Sequence, residues 1–410
     1  HGMSATVGVP AERLAAAIGL LAEVDSRPTF PGREVDRLRD ERLNDLLQAQ
    51  ADPRRRADET YVGTIYAPAS PYHRPAAGTR ETVQGLDAAI VRQAYERALD
   101  PSRATLVVAG DLGGQDVAAV AERLLGGSWG AAAASAGSSA GVIDAPASTG
   151  RLVRVVHRPG SVQTEIRIGH VGLRRRIPDF HAVSVMGAIL GGLFNSRLNM
   201  QLREAKGYTY VAGAGFDLRR GAGPFTARAA VNTEVTVPAV IDFLAELRRM
   251  RDEPVTDAEL AAARDFLVGV FPLRFETAGA VVGALSGLAV HGLPLSELVD
   301  YRSHIEAVDV AAVAAAAREH LLVDQAAIVL VGDVEAFGEE LEAAGLGTIV
   351  IDRDDVAHAS GPLPEAPDVA AATDAGDAEG PTAGAEDPSL PGTADDPASA
   401  DTTAEDGAPA

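Results

Sequence analysis

The sequence predicts an α+β fold made of two related halves, each combining helices with a mixed or antiparallel sheet. Three observations predict it. First, the chain contains a duplication. LDAAIVRQAYERAL (86–99) is followed by ATLVVAGDL (104–112), and VDVAAVAAAAREHL (308–321) is followed by AAIVLVGDV (326–334). Asp87 matches Asp309, Gly110 matches Gly332 and Asp111 matches Asp333, all at 309 − 87 = 222 residues. Second, strand-like runs in the later copy cluster at one end and helices fill its middle, which is α+β patterning. Third, no G-x-G-x-x-G stands between a strand and a helix and no Walker loop exists, which argues against a doubly wound nucleotide-binding fold.

The later copy can be read element by element. Strands are expected at LVRVVH (152–157), QTEIRIGHV (163–171), YTYVAGAGFDL (208–218) and PFTARAAVNT (224–233), from their β-branched, alternating character. Helices are expected near 180–190 and at 195–206, the second stopped by Gly207. Further helices follow near 236–251, 256–270, 278–290, 296–305 and 309–321. Thr256 and Glu259 have the spacing of a capping box. A strand (326–332), a helix (335–344) and a strand (347–352) close the copy.

In the earlier copy, a helix at 14–24 and a long one at 33–48 match the pair at 240–250 and 253–271. The counterpart of 152–224 would fall almost entirely before residue 1, since 152 − 222 = −70. The expectation is a first half (1–125) that lacks its opening segment of roughly 70 residues, with His1-Gly2 a remnant of cloning before Met3. A Gly/Ala/Ser-rich linker (126–150), a complete second half (151–352) and an acidic tail (353–410) follow.

Composition narrows the function. The chain has 410 residues, a net charge of −22 and no cysteine, which removes thiol nucleophiles and Cys-ligated metals. No apolar run approaches the ~18 residues a membrane-spanning helix needs, so no membrane partner is expected. An acidic chain is also a poor binder of nucleic acid. Residues 361–410 hold twelve acidic residues, eight prolines and no basic residue, leaving −22 + 12 = −10 for the rest. With almost no large aliphatic side chains, that tail is expected to be disordered.

The nine histidines stand at least eleven residues apart, so neither H-E-x-x-H nor H-x-x-E-H is present. His320 reads as a cation at a helix C-terminus, and His73 as a loop residue. No serine lies in a G-x-S-x-G elbow. Glu34, Asp36, Asp40, Glu41 and Asp45 share the 33–48 helix with Arg37, Arg39 and Arg42. That mixture is a solvated face, or it supplies one carboxylate, Glu41 or Asp45, to a metal site begun elsewhere. The most distinctive stretch is LGGLFNSRLNMQLREAKGYTYVAGAGF (190–216), which carries the chain's single lysine, Lys206. A helix end followed by a strand start can bring Arg203 and Tyr210 to one spot. A guanidinium and a phenol together suit a peptide carbonyl or an oxyanion, and they also suit a purely structural contact.

SRLNMQLREAKGYTYVAGAGF and the segment from PFTARAAVNT to PLRFET resemble the C-terminal half of the insulinase/pitrilysin family, the inverted-motif zinc metallopeptidases. PTFPGREVDRLRDERL, the Asp-Pro at 52–53, SPYHRPAAGTRETVQGL and LVVAGDL resemble its first half. The likeness covers about 4–352 and is nearest to two-domain bacterial and processing-peptidase-like members. It implies two homologous halves closing around an extended peptide. It implies zinc in the first half, held by H-x-x-E-H and a distant glutamate. It also implies substrate contact by an Arg and a Tyr seven apart, which fall on Arg203 and Tyr210. The distant ligand would fall on Asp45, with Glu41 one turn earlier, and an aspartate there is short for the task.

Two readings follow from the resemblance. The chain is a fragment or mis-started form of a zinc peptidase, inactive alone. Alternatively, it is a non-catalytic peptide-binding or assembly subunit beside a homologous zinc-bearing chain, or within a homodimer. A third reading, independent of the resemblance, is an acidic adaptor acting through its tail. A cytoplasmic location in a GC-rich bacterium is expected from the preference for Arg over Lys.

Overall fold

A computed structural model describes residues 2–129 and 150–353. Most of the expected linker and the acidic tail from 354 onward lie outside those residues. The first half contributes helices α1 (Leu14–Ser26), α2 (Gly32–Ala51), α3 (Pro53–Ile65), α4 (Arg80–Gln84), α5 (Ala88–Ala98) and α6 (Val117–Trp129). α6 therefore runs into the start of the stretch read as linker. The second half contributes α7 (Phe180–Gly187), α8 (Thr236–Asp252), α9 (Asp257–Val270), α10 (Ala278–His291), α11 (Ser296–Val299), α12 (Tyr301–Ala307), α13 (Val310–His320) and α14 (Val334–Ala344).

Its strands are β1 (Leu152–His157), β2 (Gln163–Val171), β3 (Ala212–Phe216), β4 (Pro224–Asn232), β5 (Ala327–Gly332) and β6 (Thr348–Arg353). They form one six-stranded sheet in the order β3-β4-β2-β5-β1-β6. β1 runs parallel to β5 and β6, while β2 is antiparallel to both β4 and β5. The sheet is therefore mixed. β5, AIVLVG, is buried along its whole length, as a continuous apolar run in a central strand requires.

One face of the sheet is covered by the second half's own helices. α8 buries Val237, Val240, Leu244 and Leu247 in the main core, spaced for one helix face. α13 adds Val313, Ala316 and Ala317, and its Asp309 cap accepts from Ala312 N at 2.7 Å. The Thr256–Glu259 capping box forms as the spacing predicts.

The opposite face is covered by α3 of the first half. Asp52 caps this helix through Arg54 N and Arg55 N, with Pro53 at its first position. Ala57, Tyr61 and Ile65, four residues apart, pack on Val156, Ala327, Val329 and Val331. The Tyr61 hydroxyl donates to Phe225 O and the Tyr66 hydroxyl to Ala222 O, the latter at 2.7 Å. Gly169 lets the helix approach, since a Cβ there would collide with Phe225 O and Tyr61 Oη. Arg167, 1 % exposed on β2, donates to Asp58 of α3 at 2.6 Å and to Glu165 at 2.8 Å.

The strand expected at 104–112 is not one; this segment joins no ladder. Its counterpart β5 is a strand because β1 and β2 flank it on both sides. Among the described residues of the first half, no strand offers 104–112 such an edge. The duplicated helices show the same asymmetry. α5, the counterpart of α13, has no buried residue. α10, the counterpart of α3 by position, has only Leu288 buried although it is apolar throughout. Among the described residues no single helix is long and apolar enough to cross a membrane.

Candidate functional site

The distinctive stretch folds as two π-helical segments, Ala188–Gly192 and Asn199–Ala205, joined by a tight loop and running into β3. Wide π turns are uncommon and recur at functional sites. Gly191 allows the first segment to lie on β3, because a Cβ would strike Ala214. Gly207, at φ +65°, ends the second segment. Gly207 N then donates to Arg203 O at 3.0 Å, and Tyr208 N to Leu202 O at 2.9 Å. The expected helix 195–206 is thus shorter and wider than the pattern suggested.

The expected strand 208–218 begins only at Ala212. Thr209 Oγ1 donates to Val211 O at 3.0 Å and accepts from Val211 N, a local turn that competes with ladder pairing. Tyr210 therefore sits on a turn at the mouth of β3, which pairs only with β4 among the described strands.

Asn199, 5 % exposed, ties these pieces together. Its amide donates to Leu193 O and Ser196 Oγ, both at 3.2 Å, and its Oδ1 accepts from Ala212 N at 2.9 Å. Arg197 anchors the loop from below. Its Nε and Nη2 donate to the two carboxylate oxygens of Glu259 at 2.6 and 3.0 Å. Burial opposes the charged form of Glu259, but the Arg197 fork and the Thr256 donors outweigh it and hold its pKa at about 2.

On this frame Arg203 and Tyr210 are displayed. The Arg203 guanidinium lies over the Phe194 ring, 3.9 Å from its centroid, and Nη2 is 3.2 Å from Glu204. Tyr210 is 89 % exposed. The side chains therefore do not make the structural Arg–Tyr contact that the sequence left open. Phe194 was not singled out by its sequence, and neither was Asn199.

Among the described residues of the first half, the candidate carboxylates are engaged by arginines. Asp45 receives Arg42 at 2.7 Å and Arg55 at 3.0 Å, and these bonds hold its carboxyl below the usual range. Glu41 pairs with Arg37. His73 spends its Nδ1 on Tyr66 O at 2.8 Å. A zinc ligand needs its lone pairs free and several donors converging, so these residues do not fit a catalytic zinc. Among the described residues, Asp179, Glu319 and His320 form the one group with three convergent ligand types. There His320 Nε2 lies 2.6 Å from Asp179 Oδ2, a hydrogen-bonded clamp from the end of α13 to the start of α7.

Residues 85–267 match the family model described as the peptidase M16 inactive domain. Over that region the chain is similar to the insulinase/pitrilysin (M16) peptidases. Relatives include an uncharacterized zinc protease of Mycobacterium leprae, 25 % identical over 63 % of this chain and 58 % of its own length. Another, from Streptomyces coelicolor, is 24 % identical over 66 % of this chain and 58 % of its own. The chain thus spans less than two thirds of the length of these curated relatives.

Solved structures show the same fold. The peptidase M16 inactive domain from Pseudomonas fluorescens has a TM-score of 0.67 at 24 % identity, covering 79 % of this chain and 76 % of that one. A protease from Helicobacter pylori has a TM-score of 0.68 at 18 % identity, covering 78 % and 77 %. A chain of complex III2 from Candida albicans has a TM-score of 0.62 at 16 % identity, covering 80 % and 79 %.

Proposed function

We propose that this chain binds extended peptides through Arg203 and Tyr210 and does not hydrolyse them by itself. The observation that carries the reading is the display of an arginine and an exposed tyrosine, seven residues apart, beside the mouth of edge strand β3. The guanidinium has N–H groups for a peptide carbonyl, and the phenol can donate or accept. A strand edge can add an extended segment. Hydrolysis in this family uses zinc, and the sequence carries no H-x-x-E-H. The carboxylates Asp45 and Glu41 are engaged by arginines. Catalysis therefore requires histidines from another polypeptide or from a segment outside these residues.

A second reading is a non-catalytic subunit beside a zinc-bearing homologue or in a homodimer. It is favoured by the likeness in fold to a chain of a multisubunit assembly.

The test is peptide binding by fluorescence anisotropy on the full chain. Arg203→Ala is expected to weaken binding of a labelled extended peptide about tenfold, the loss of one charge-assisted hydrogen bond, without lowering the melting temperature. Equal binding by wild type and Arg203→Ala would refute the peptide reading. Peptidase activity from the purified chain, abolished by a chelator, would refute the non-catalytic part.

A further inference from the structure

Three loops meet at the end of the sheet opposite Tyr210: 70–74, 172–176 after β2, and 217–223 between β3 and β4. Gly172 N donates to Gly223 O at 2.7 Å, Arg175 N to Arg219 O at 2.8 Å, and Gly221 N to the Tyr72 hydroxyl at 3.0 Å. These bonds gather Arg74, Arg174, Arg175, Arg176, Arg219 and Arg220 on one rim. Arg175 and Arg219 are half-buried and engaged. Arg219 donates to Asp217 at 2.7 Å and lies over the Tyr72 ring. Arg175 stacks 3.5 Å from the Phe180 centroid and donates to Glu297 at 3.2 Å. The neighbouring Asp179 is taken by His320. The other four arginines are exposed. Among the described residues, Arg74, Arg176 and Arg220 have no carboxylate partner. Like charges gathered this way repel one another, so they do not serve the fold.

We propose that this arginine rim is the docking surface for the chain's own acidic C-terminal segment, residues 354–410. Charge carries the argument. The segment has fourteen Asp and Glu and neither Lys nor Arg. Residues 1–353 carry −22 + 14 = −8, so the surface as a whole repels it. A cluster of guanidiniums without carboxylates is where such a segment gains, because the planar fork accepts a carboxylate through two N–H groups. With few large aliphatic side chains, the segment has little else to bind with. Its length permits the contact. Arg353 ends β6, which lies at the far edge from β3 and runs antiparallel to β2. Strands ~4.8 Å apart and ~20 Å long put the rim roughly 30 Å from that point. The segment has 410 − 353 = 57 residues, and a coil of that length spans about 40 Å.

The experiment is energy transfer within the full chain. No native cysteine competes for label, so Ala76→Cys, beside Arg74, and Ser389→Cys, within the acidic segment, take a donor and an acceptor dye. Transfer efficiency is expected to fall at least twofold between about 50 and about 500 mM NaCl, as salt screens exposed charges. Arg74→Glu, Arg176→Glu and Arg220→Glu together are expected to halve it, or more, at the lower salt. Arg13→Glu, Arg103→Glu and Arg123→Glu make the same charge change at exposed positions of the first half and are expected to leave it unchanged. Matching melting temperatures confirm that both sets fold. An efficiency untouched by the rim substitutions, or lowered equally by both sets, overturns the proposal. So does a fall on adding excess unlabelled chain, which would assign the docked segment to a second copy. A labelled single-stranded oligonucleotide that binds the full chain and is lost in the rim variant, with transfer insensitive to that variant, would assign the rim to nucleic acid and overturn the proposal as well.

Discussion

Replacing Glu259 with glutamine tests the frame beneath the site. Gln keeps the shape and its amide oxygen can still accept from Thr256 N, so the capping box survives, while the charge and one acceptor of the Arg197 fork are lost. The pKa of Glu259 falls from 4.5 to about 2 on folding. That is about 2.5 units, or about 3.4 kcal/mol at ~1.36 kcal/mol per unit. The carboxylate is 27 % exposed, and solvent screening reduces the value to about 2–3 kcal/mol. Because the folded pKa lies below the unfolded one, the unfolded chain binds more protons between pH 4.5 and 2. The stabilisation is therefore complete above pH 4.5 and is lost as pH falls toward 2. At pH 3.5 roughly 60 % of it remains, by the same linkage. Urea denaturation of wild type and Glu259→Gln at pH 7 and pH 3.5 measures both quantities. The variant should be about 2–3 kcal/mol less stable at pH 7, and the gap should narrow by about 1 kcal/mol at pH 3.5. A deficit under about 0.5 kcal/mol at pH 7, or an equal deficit at both pH values, would show that the Arg197 fork does not hold the loop as described.

Two further outcomes test the fold around the site. Gly169→Ala should cost about 3 kcal/mol or prevent folding, because its Cβ meets Phe225 O and the Tyr61 hydroxyl at the α3–sheet interface; a melting temperature within a degree or two of wild type would contradict that packing. Burial lowers the pKa of His170 and of His181 from 6.5 to about 4. The unfolded chain therefore takes up their protons first, and stability should fall as pH drops from 6.5 toward 4. His170→Gln should flatten that slope in a pH series of urea titrations, and an unchanged slope would count against the burial of this imidazole.

Sequence legibility tracked how local each feature is. The second half's helices and strands follow from periodicity and caps, and the Thr256–Glu259 box and β5 form where the pattern puts them. The segment 104–112 has the same pattern as β5 yet makes no ladder, because strand identity depends on neighbours that a local reading does not see. α3 was overlooked although Asp52-Pro53 and the spacing of Ala57, Tyr61 and Ile65 announce it. Three arginines in its first turn masked a narrow apolar stripe. At the site, the spacing of Arg203 and Tyr210 was legible through family resemblance, but their surroundings were not. The cation–π stack on Phe194 and the three bonds of Asn199 arise from a loop and two π-helical turns, and no 3.6-residue pattern encodes those. The surroundings of the weak metal candidates were equally hard to read. Asp45 and Glu41 share one helix face, as read, and arginines engage both: Arg42 and Arg55 of α3 on Asp45, Arg37 on Glu41.

An energetic contrast within residues 190–216 is what the proposed binding role expects. A segment kept only for stability would turn its largest apolar groups inward, as Leu190, Leu198 and Leu202 do at 0 % exposure. Phe194 and Tyr210 do the opposite and contribute little to folding, since their surfaces stay in water. Meanwhile the backbone that carries them is held by a buried asparagine with its polar groups engaged and by a buried arginine forked on a carboxylate. Ordering a surface loop this firmly costs conformational entropy that the exposed side chains do not return on folding. On the proposed reading the return comes when a peptide covers them, and a pre-ordered arginine then binds with little further ordering cost. This account makes Asn199 as consequential for binding as Arg203, although its buried amide cannot itself be the contact surface.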